Sequence, residues 1–520
     1  MISRLLLMVS WAVALPMMGQ EENDASLLNG LDYKVEFQSS VSDGNTPLWL
    51  NANKHGLSSL RSLNGYLRGA VERPLAKDSM RQWGVGYALD LVAPLHYSSD
   101  MIVQQAYAEL RWKKGVLTLG SKEWPMELKD NQLSSGSQTL GINARPVPQL
   151  RVALPEYWAL PLLGGWVHLK GHIAYGWTTD GGWQRTFTRQ QTKYTLHTMF
   201  HSKAGYLKIG KNGKPLSVEL GLEMGSQFGG ISYIQREGGM NDIHNEGGLA
   251  ALWHAFIPSG SEVVEDVYKN TSGNNLGSWL LKVNFEQPSW QIGVYADHFF
   301  EDHSSMFLLD YNGYGSGINW DKKEENKFVG YDLKDMLLGA EVYLKHFCWM
   351  NKIVCEYLYT KYQSGPMYHD HTVTMSDHIG GRDNYYNHHI FSGWQHWGQV
   401  MGNPLYRSPI YNKDGNVMVE NNRFVAWHLG FSGKPTGQWS YRVLGTWQRG
   451  FGTYELPFFD PCESVCIMAE ADYAFPVRSA LAGWSLKASA GRDWGKIYGN
   501  NTGFQLTVTK CGLLQKSKRK

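Results

Sequence analysis

The sequence has 520 residues, with 49 lysine and arginine residues against 47 aspartate and glutamate residues, so its formal net charge is only +2. This near-neutral balance, with both signs spread along the chain, excludes the electrostatic footprint of a nucleic-acid-binding protein. Aromatic residues make up 13% of the chain, and glycine contributes 57 residues. Abundant tryptophan, tyrosine and glycine favour β-structure, tight turns and boundaries between water and an apolar phase.

The N-terminus has the pattern of a secretory signal peptide. Arg4 precedes an apolar run from Leu5 to Met18, and the small Gly19 follows it. The run is shorter than the roughly 20 apolar residues that span a bilayer, and no cysteine follows it for lipid attachment. We therefore predict that residues 1–19 are removed and that the mature chain is exported without a transmembrane helix.

Alternation with a period of two is the clearest pattern in the rest of the chain. The segments Gln105–Lys113, Leu216–Met224 and Gln438–Arg449 each place apolar residues on one face and polar or charged residues on the other. We count about sixteen to eighteen such strands by this alternation. Short turns separate some of them and long irregular stretches separate others, notably 299–335 and 363–419. Short turns at one end and long loops at the other are typical of an outer-membrane β-barrel.

We predict an all-β fold: a large antiparallel transmembrane β-barrel of about 18 strands, with little helix and with long extracellular loops that plug a polar lumen. Such a barrel lies in the outer membrane, in contact with its lipid. No linker divides residues 20–510, which we interpret as one domain, followed by a basic tail over residues 511–520. A soluble β-sandwich or propeller would also alternate, but no repeat of propeller period is visible.

Three blocks of the chain resemble a known family. They are TPLWLNANKHGLSSL (Thr46–Leu60), GSQTLGINARPVPQLRV (Gly136–Val152) and GWQHWGQVMGNPLYRSPIYN (Gly393–Asn412). In these blocks the chain is similar to the Wzi-type capsule assembly proteins of Bacteroidota-like bacteria. The resemblance implies an outer-membrane barrel that binds exported capsular polysaccharide or exopolysaccharide without catalysis and helps to organise it at the cell surface. It also implies contact with the capsule export machinery.

Arg145 and Arg151 stand at the two ends of the sequence RPVPQLR. The two prolines between them fix φ and withhold backbone donors, so the segment suits a rigid constriction or the start of a strand. Each guanidinium is a candidate contact for an anionic polysaccharide. A salt bridge to a lumen carboxylate such as Glu109 or Glu219 is the alternative that we favour, because charged groups in a lumen usually pair.

The loop over residues 363–419 holds the second group of candidates. Its candidate polysaccharide-binding residues are Tyr385, Tyr386, Trp394, His396, Trp397 and Asn403. Flat rings pack on sugar faces, while histidine and asparagine reach hydroxyl groups. The alternative interpretation, at least as favoured for each tryptophan, is that the aromatic residues pack the loop as a plug.

The same loop raises the question of a metal site. Its histidines are His369, His371, His378, His388, His389 and His396. They show no H-E-x-x-H or comparable spacing, so we predict neither a metal nor another cofactor. No G-x-S-x-G nucleophile elbow is present, so we predict no catalytic residues. A porin or substrate-selective channel with an open lumen is the main alternative function, and an outer-membrane hydrolase is a lesser one.

Cys348 and Cys355 form a candidate disulfide. They lie symmetrically about Asn351 and Lys352, so a two-residue hairpin turn would set them opposite each other. An exported protein meets an oxidising environment in which such a pair can form a bond.

Overall fold

The computed structural model describes residues 30–514, except 162–163, 212, 259–272, 370–377 and most of 302–334. The predicted signal peptide, residues 1–19, lies outside the described residues. One sheet of eighteen strands dominates the molecule, and neighbouring strands pair antiparallel throughout. The prediction of an all-β barrel of about 18 strands is confirmed.

The barrel strands are numbered in chain order. They are β1 (Asp32–Asp43), β2 (Leu63–Arg73), β3 (Trp83–Leu95), β4 (Ile102–Trp112), β5 (Gly115–Ser121), β6 (Gln149–Ala159), β7 (Val167–Trp177), β8 (Met199–Ile209), β9 (Leu216–Phe228), β10 (Asn274–Glu286), β11 (Trp290–Glu301), β12 (Met336–Leu344), β13 (Lys352–Tyr359), β14 (Phe424–Gly433), β15 (Trp439–Gly452), β16 (Pro457–Ala474), β17 (Trp484–Gly495) and β18 (Asn501–Leu513).

The first and last strands close the barrel. β1 pairs with β2 on one edge and with β18 on the other, where Asp32 lies opposite Leu513 and Asp43 lies opposite Thr502. Closure leaves no open sheet edge, which is required of a sheet that crosses a membrane. The pairing keeps residues 511–513 in the sheet, so the tail begins after Leu513 rather than at Cys511 as predicted.

The outer wall is apolar and the inner wall is polar. On β9, for example, Leu220 is 43% exposed on the outside, whereas Glu219 and Glu223 turn inward and are at most 8% exposed. Exposed tryptophans lie near both ends of the wall. Those near the short turns are Trp83, Trp112, Trp439 and Trp484, and those near the long loops are Trp177, Trp427 and Trp494. An apolar band with aromatic girdles is the surface of a barrel that faces lipid.

Short turns lie at one end of the barrel and long loops at the other. The turns include residues 113–114, 287–289 and 434–438, and the loops include residues 44–62, 122–148, 178–198, 229–273 and 360–423. Among the described residues, the α-helices lie in the loops: α1 (Leu48–Asn51), α2 (Gly181–Phe187) and α3 (Gly248–Phe256). No helix in the described ranges is long and apolar enough to cross a membrane.

The loops contain a few short strands and turns of their own. Tyr194–Leu196, Ile231–Arg236 and Gly239–His244 form a three-stranded sheet. Two further pairs are Ser364–His369 with His378–Arg382 and Gln395–His396 with Gln399–Val400, and single 3-10 turns occur at Leu75–Asp78 and Pro409–Tyr411.

The predicted disulfide between Cys348 and Cys355 is wrong. The β12–β13 register sets Cys355 opposite Ala340, while Cys348 lies in the turn that spans residues 345–351. The turn is therefore longer than the two-residue turn that would align the cysteines. Both cysteines are free and exposed.

Candidate functional site

Three loop segments fold back from the long-loop end into the lumen, and we call them together the plug: residues 44–62, 122–148 and 384–423. Backbone hydrogen bonds join them into one body. His55 N–H donates to Ile142 O at 2.7 Å, and Gly141 N–H donates to Met401 O at 2.9 Å. The three segments are therefore parts of one hydrogen-bonded structure and not independent loops.

The local sequence explains why residues 122–148 leave the sheet. Pro146 and Pro148 cannot donate to a strand ladder, and β6 begins only at Gln149, directly after the second proline. The prediction that this segment starts a strand is confirmed. Gly141 permits a close approach to the third segment, because a Cβ there would lie 2.7 Å from Gly402 O.

The plug has an aromatic core. Tyr385, Tyr386, Trp394 and Tyr406 are at most 1% exposed and pack against wall residues such as Phe299. The ring centroids of Phe299 and Tyr385 are 4.7 Å apart in an edge-to-face arrangement. Trp394 Nε1–H donates to Thr139 O at 2.9 Å, which satisfies its polar atom inside the core.

The prediction that this loop offers an aromatic sugar-binding surface is therefore wrong for most of its residues. Tyr385, Tyr386, Trp394, His396 and Asn403 are buried and have no face to present to a glycan. The alternative interpretation, a packed plug, is the arrangement observed, because aromatic side chains that fill a lumen remove more apolar area from water than they would on its rim. Trp397 alone among the loop candidates is partly exposed.

His396 and Asn403 hold the plug together. His396 Nε2 accepts from Thr179 N–H at 3.0 Å, so Nδ1 carries the proton that is donated to Arg145 O at 2.9 Å. Burial lowers the pKa of His396, which keeps the ring neutral. Asn403 Nδ2 donates to Ser135 Oγ and to Gly136 O, both at 3.1 Å.

Carboxylates on the inner face of the wall accept hydrogen bonds from the plug. Asp297 Oδ2 accepts from Lys129 Nζ at 2.6 Å and from Gln138 N–H at 3.0 Å, and the side chains of Lys129 and Asp297 are at most 1% exposed. Glu356 accepts from Ser134 Oγ at 2.6 Å and from the next backbone N–H at 2.7 Å. Buried charges are costly unless they are paired and hydrogen-bonded, so these contacts favour one position of the plug in the lumen.

The segment 122–148 reaches the short-turn end. Glu127 pairs with Lys170 at 2.5 Å, and Asp130 pairs with Lys352, the first residue of β13, at 2.8 Å. A continuous water-filled channel would expose the inward side chains of the wall, yet Glu356 and Asp297 are at most 1% exposed. The lumen is therefore filled along most of its height in the described part of the chain.

Arg145 and Arg151 do not form the predicted salt bridges. Arg145 donates to Ser99 Oγ at 2.9 Å and to Ser98 Oγ at 2.8 Å, and its guanidinium lies 4.3 Å from the ring centroid of Trp397. Burial lowers the pKa of Arg145 to about 10. Arg151 lies 3.9 Å from the ring centroid of Trp124.

The two predicted carboxylate partners have other contacts instead. Glu109 pairs with Lys122 at 2.7 Å, and Glu219 accepts from Tyr157 Oη at 2.7 Å. The strand register puts these partners nearer than either arginine, which sequence alone does not reveal.

An open surface lies beside the plug at the long-loop end. Trp183 of α2 stacks on Phe187 with ring centroids 4.7 Å apart, and it packs so close to Gly398 that a Cβ there would lie 2.6 Å from its ring. A groove of about 410 Å³ runs along the same helix and is lined by Arg185, Arg189 and their neighbours, without a carboxylate.

We call Trp183, Arg185, Arg189 and Trp397 together the aromatic–arginine surface; the buried Arg145 lies against the ring of Trp397. Sequence reasoning missed Trp183, Arg185 and Arg189. The available signal was the cluster GGWQRTFTRQQ between two strands. Within the described residues, no group of three or more histidine, cysteine, aspartate or glutamate side chains could hold a metal ion, and His371 lies outside those residues.

The fold and the plug define a class. The chain is an outer-membrane β-barrel protein whose lumen is filled by its own loops. No protein-family model matches the chain. No curated protein matches it either.

Solved structures of similar architecture do exist. Pseudomonas aeruginosa OprD is 9% identical, with 94% of this chain and 96% of that chain covered at a TM-score of 0.45. P. aeruginosa OccK2 in complex with glucuronate is 7% identical (94% and 98% covered, TM-score 0.46), and Acinetobacter baumannii OccAB2 is 7% identical (95% and 100% covered, TM-score 0.47). These likenesses assign no ligand or activity to this chain.

Proposed function

We propose that this outer-membrane barrel binds exported capsular or surface polysaccharide at the cell surface and assists its assembly or attachment there, without catalysing a reaction. The observation that carries the proposal is how the lumen is closed. The three sequence blocks that resemble Wzi-type proteins, Thr46–Leu60, Gly136–Val152 and Gly393–Asn412, are far apart in the chain but meet in the plug. A filled lumen favours a binding role over free diffusion of solutes.

The aromatic–arginine surface supplies suitable chemistry for a glycan. The partly exposed rings of Trp183 and Trp397 offer flat apolar faces for sugar rings. Arg185 and Arg189 add guanidinium donors to a groove that has no carboxylate among its lining residues. Guanidinium groups pair with carboxylate or phosphate groups in two-point fashion, so an acidic polysaccharide suits this surface.

Binding can be measured with polysaccharide extracted from the surface of the producing bacterium and labelled with a fluorophore. The variant combines Trp183→Ala, Arg185→Ala and Arg189→Ala, which all lie outside the barrel strands. We expect its affinity to fall at least about tenfold, which corresponds to about 1.4 kcal/mol.

The matched control is Trp349→Ala, which removes an exposed tryptophan from a turn at the opposite end of the barrel. Unchanged affinity of the triple variant would show that the polysaccharide does not bind at the aromatic–arginine surface. Absence of binding by the unmodified protein would reject polysaccharide binding itself.

A substrate-selective channel is the second candidate. The observation in its favour is that some of the described contacts between plug and wall are ion pairs of partly exposed groups, such as Glu127 with Lys170 and Asp130 with Lys352. Noncovalent contacts of partly exposed groups exchange readily, so a plug held in this way could open for a ligand. Stable single-channel conductance of the unmodified protein would favour this candidate.

A further inference from the structure

The loop helix α3, Gly248–Phe256, lies against the outside of the barrel. Its residues Ala251 and Ala255 are at most 3% exposed and pack on Phe228 of β9. Phe228 occupies the same face of its strand as Leu220, which is 43% exposed toward the lipid. Because side chains alternate along a strand, the helix covers the outer and not the lumenal surface of the wall.

Contacts to two neighbouring strands hold the helix in place. Tyr175 of β7 donates from its hydroxyl to Leu252 O at 2.9 Å. Lys203 of β8 points outward and donates from Nζ to Phe256 O at the last helical residue. A cation at the C-terminus of a helix satisfies a free carbonyl and complements the helix dipole. These contacts pin α3 to the wall near the long-loop end of β7 and β8.

The opposite side of the helix is apolar, and its side chains are exposed in the described part of the chain. Leu249 is 85% exposed, Trp253 is 58% exposed and Ile257, directly after the helix, is 46% exposed. Spacing of four residues puts them in one stripe along the helix. The sequence GLAALWHAF contains no lysine, arginine, aspartate or glutamate. On the same outer wall, Trp177 is 47% exposed at the end of β7, two residues after Tyr175, which bonds to the helix.

We propose that α3 lies in the outer leaflet of the membrane, with lipid covering Leu249, Trp253 and Ile257. The stripe continues the lipid-facing wall at the level of the aromatic girdle, where tryptophan is favoured. The other side of α3 packs on the barrel, so its exposed apolar stripe is the side available to the acyl chains. The lipid contact is independent of any glycan that the protein binds.

The position of α3 links the membrane to the plug. The loop that carries the helix contains the strand Ile231–Arg236, which pairs with Tyr194–Leu196. Within that second strand, Thr195 Oγ1 lies 3.2 Å from Ser392 Oγ of the plug. The helix therefore attaches to the lipid a loop that contacts the plug through the strand Tyr194–Leu196.

Spin-label accessibility tests the proposal in the full-length barrel reconstituted in phospholipid vesicles. The five cysteines are free, so they are replaced by alanine and a single label is introduced through Leu249→Cys. The label's collision rates are measured with molecular oxygen, which concentrates in the bilayer, and with a neutral nickel chelate, which stays in water. Leu220→Cys on the lipid-facing wall and Leu456→Cys in a loop at the same end provide the two reference positions.

We expect the oxygen-to-nickel collision ratio at position 249 to exceed that at position 456 severalfold and to approach that at position 220, which lies deeper in the wall. A ratio equal to that at position 456 would place the helix in water and overturn the proposal. An immobilised label that neither reagent reaches would indicate a protein partner or a second copy and would also overturn it. Heat-modifiable migration on gels verifies that each variant is folded, and Ile257→Cys repeats the measurement on the same stripe if the first label disturbs folding.

Discussion

Among the ion pairs of the described residues, the pair between Lys129 of the plug and Asp297 of the wall is the most deeply buried. Lys129→Met removes one partner and leaves the carboxylate buried without its cation. We expect this change to lower the free energy of unfolding of the plug by about 3–5 kcal/mol. The temperature at which the folded, fast-migrating form is lost on denaturing gels measures the effect.

Lys352→Met is the matched control for that variant. Lys352 also pairs with a plug aspartate, Asp130, but its side chain is 45% exposed. An exposed pair contributes only about 0–1 kcal/mol, so we expect a small shift. Equal shifts for the two variants would contradict the role assigned to the buried pair.

Because two histidines lie within the plug, we expect the stability of the plug to depend on pH. Burial lowers the pKa of both His388 and His396 below the ordinary value of about 6.5. The unfolded chain then binds protons that the folded plug does not, so the plug's stability is complete above about pH 6.5 and decreases as the pH falls below it. Hydrogen exchange of the plug amides, corrected for intrinsic rates, should show weaker protection at about pH 5 than at about pH 7.5.

A variant with both His388→Gln and His396→Gln keeps polar side chains at these positions but removes the titrating rings. Its plug protection should change less with pH than that of the unmodified protein. The same pH dependence in this variant would assign the effect to other groups.

At the scale of elements, Gly141 is one of the positions at which plug segments 122–148 and 384–423 approach each other closely. A Cβ at Gly141 would lie 2.7 Å from Gly402 O and 2.8 Å from Met401 O, and neither is a side chain that can move aside. Gly141→Ala should therefore separate the two segments and cost about 1–3 kcal/mol. Faster hydrogen exchange of the Gly141 and Met401 region is the expected result.

Gly69→Ala is the control for this substitution, because a Cβ at Gly69 in β2 has nothing within 4 Å. It should leave both plug protection and barrel stability nearly unchanged. Normal protection in Gly141→Ala would show that the segments tolerate a wider separation.

At the scale of the whole molecule, the plug predicts a closed barrel. We expect the unmodified protein in planar bilayers to show no large, stable conductance steps. Replacing residues 127–133 by a Gly/Ser linker of equal length removes the pairs of Glu127 and Lys129 with the wall, and it should produce such steps. The variant with the same replacement over turn residues 477–482 should stay closed. Large steps from the unmodified protein would contradict the closed lumen.

Part of this architecture was predictable because it is local. Gln105–Lys113, Leu216–Met224 and Gln438–Arg449 were assigned as strands from alternation alone, and they overlap β4, β9 and β15. The alternation is visible in the sequence because successive side chains of a strand point to opposite faces, one toward the lipid and one toward the lumen. The long loop around Trp394 was also recognised, with plugging as one interpretation.

The partners inside the lumen were not predictable. The indole of Trp394 donates a hydrogen bond to Thr139 O, although the two residues are 255 positions apart in the sequence. Lys129 forms an ion pair with Asp297, which is 168 positions away. No pattern in either segment specifies such a partner. The participation of segment 122–148 in the plug was missed for the same reason.

The sequence by itself determined that the chain makes a barrel with an apolar outer wall, because strand alternation and turn length are local patterns that neighbouring residues specify. Only the tertiary structure decided which loops enter the lumen, which carboxylates hold them and which aromatic residues stay outside. Those outcomes depend on shape and charge matching between segments that lie far apart in the chain. For this reason Trp394 is buried in the plug while Trp397, three residues later, remains partly exposed.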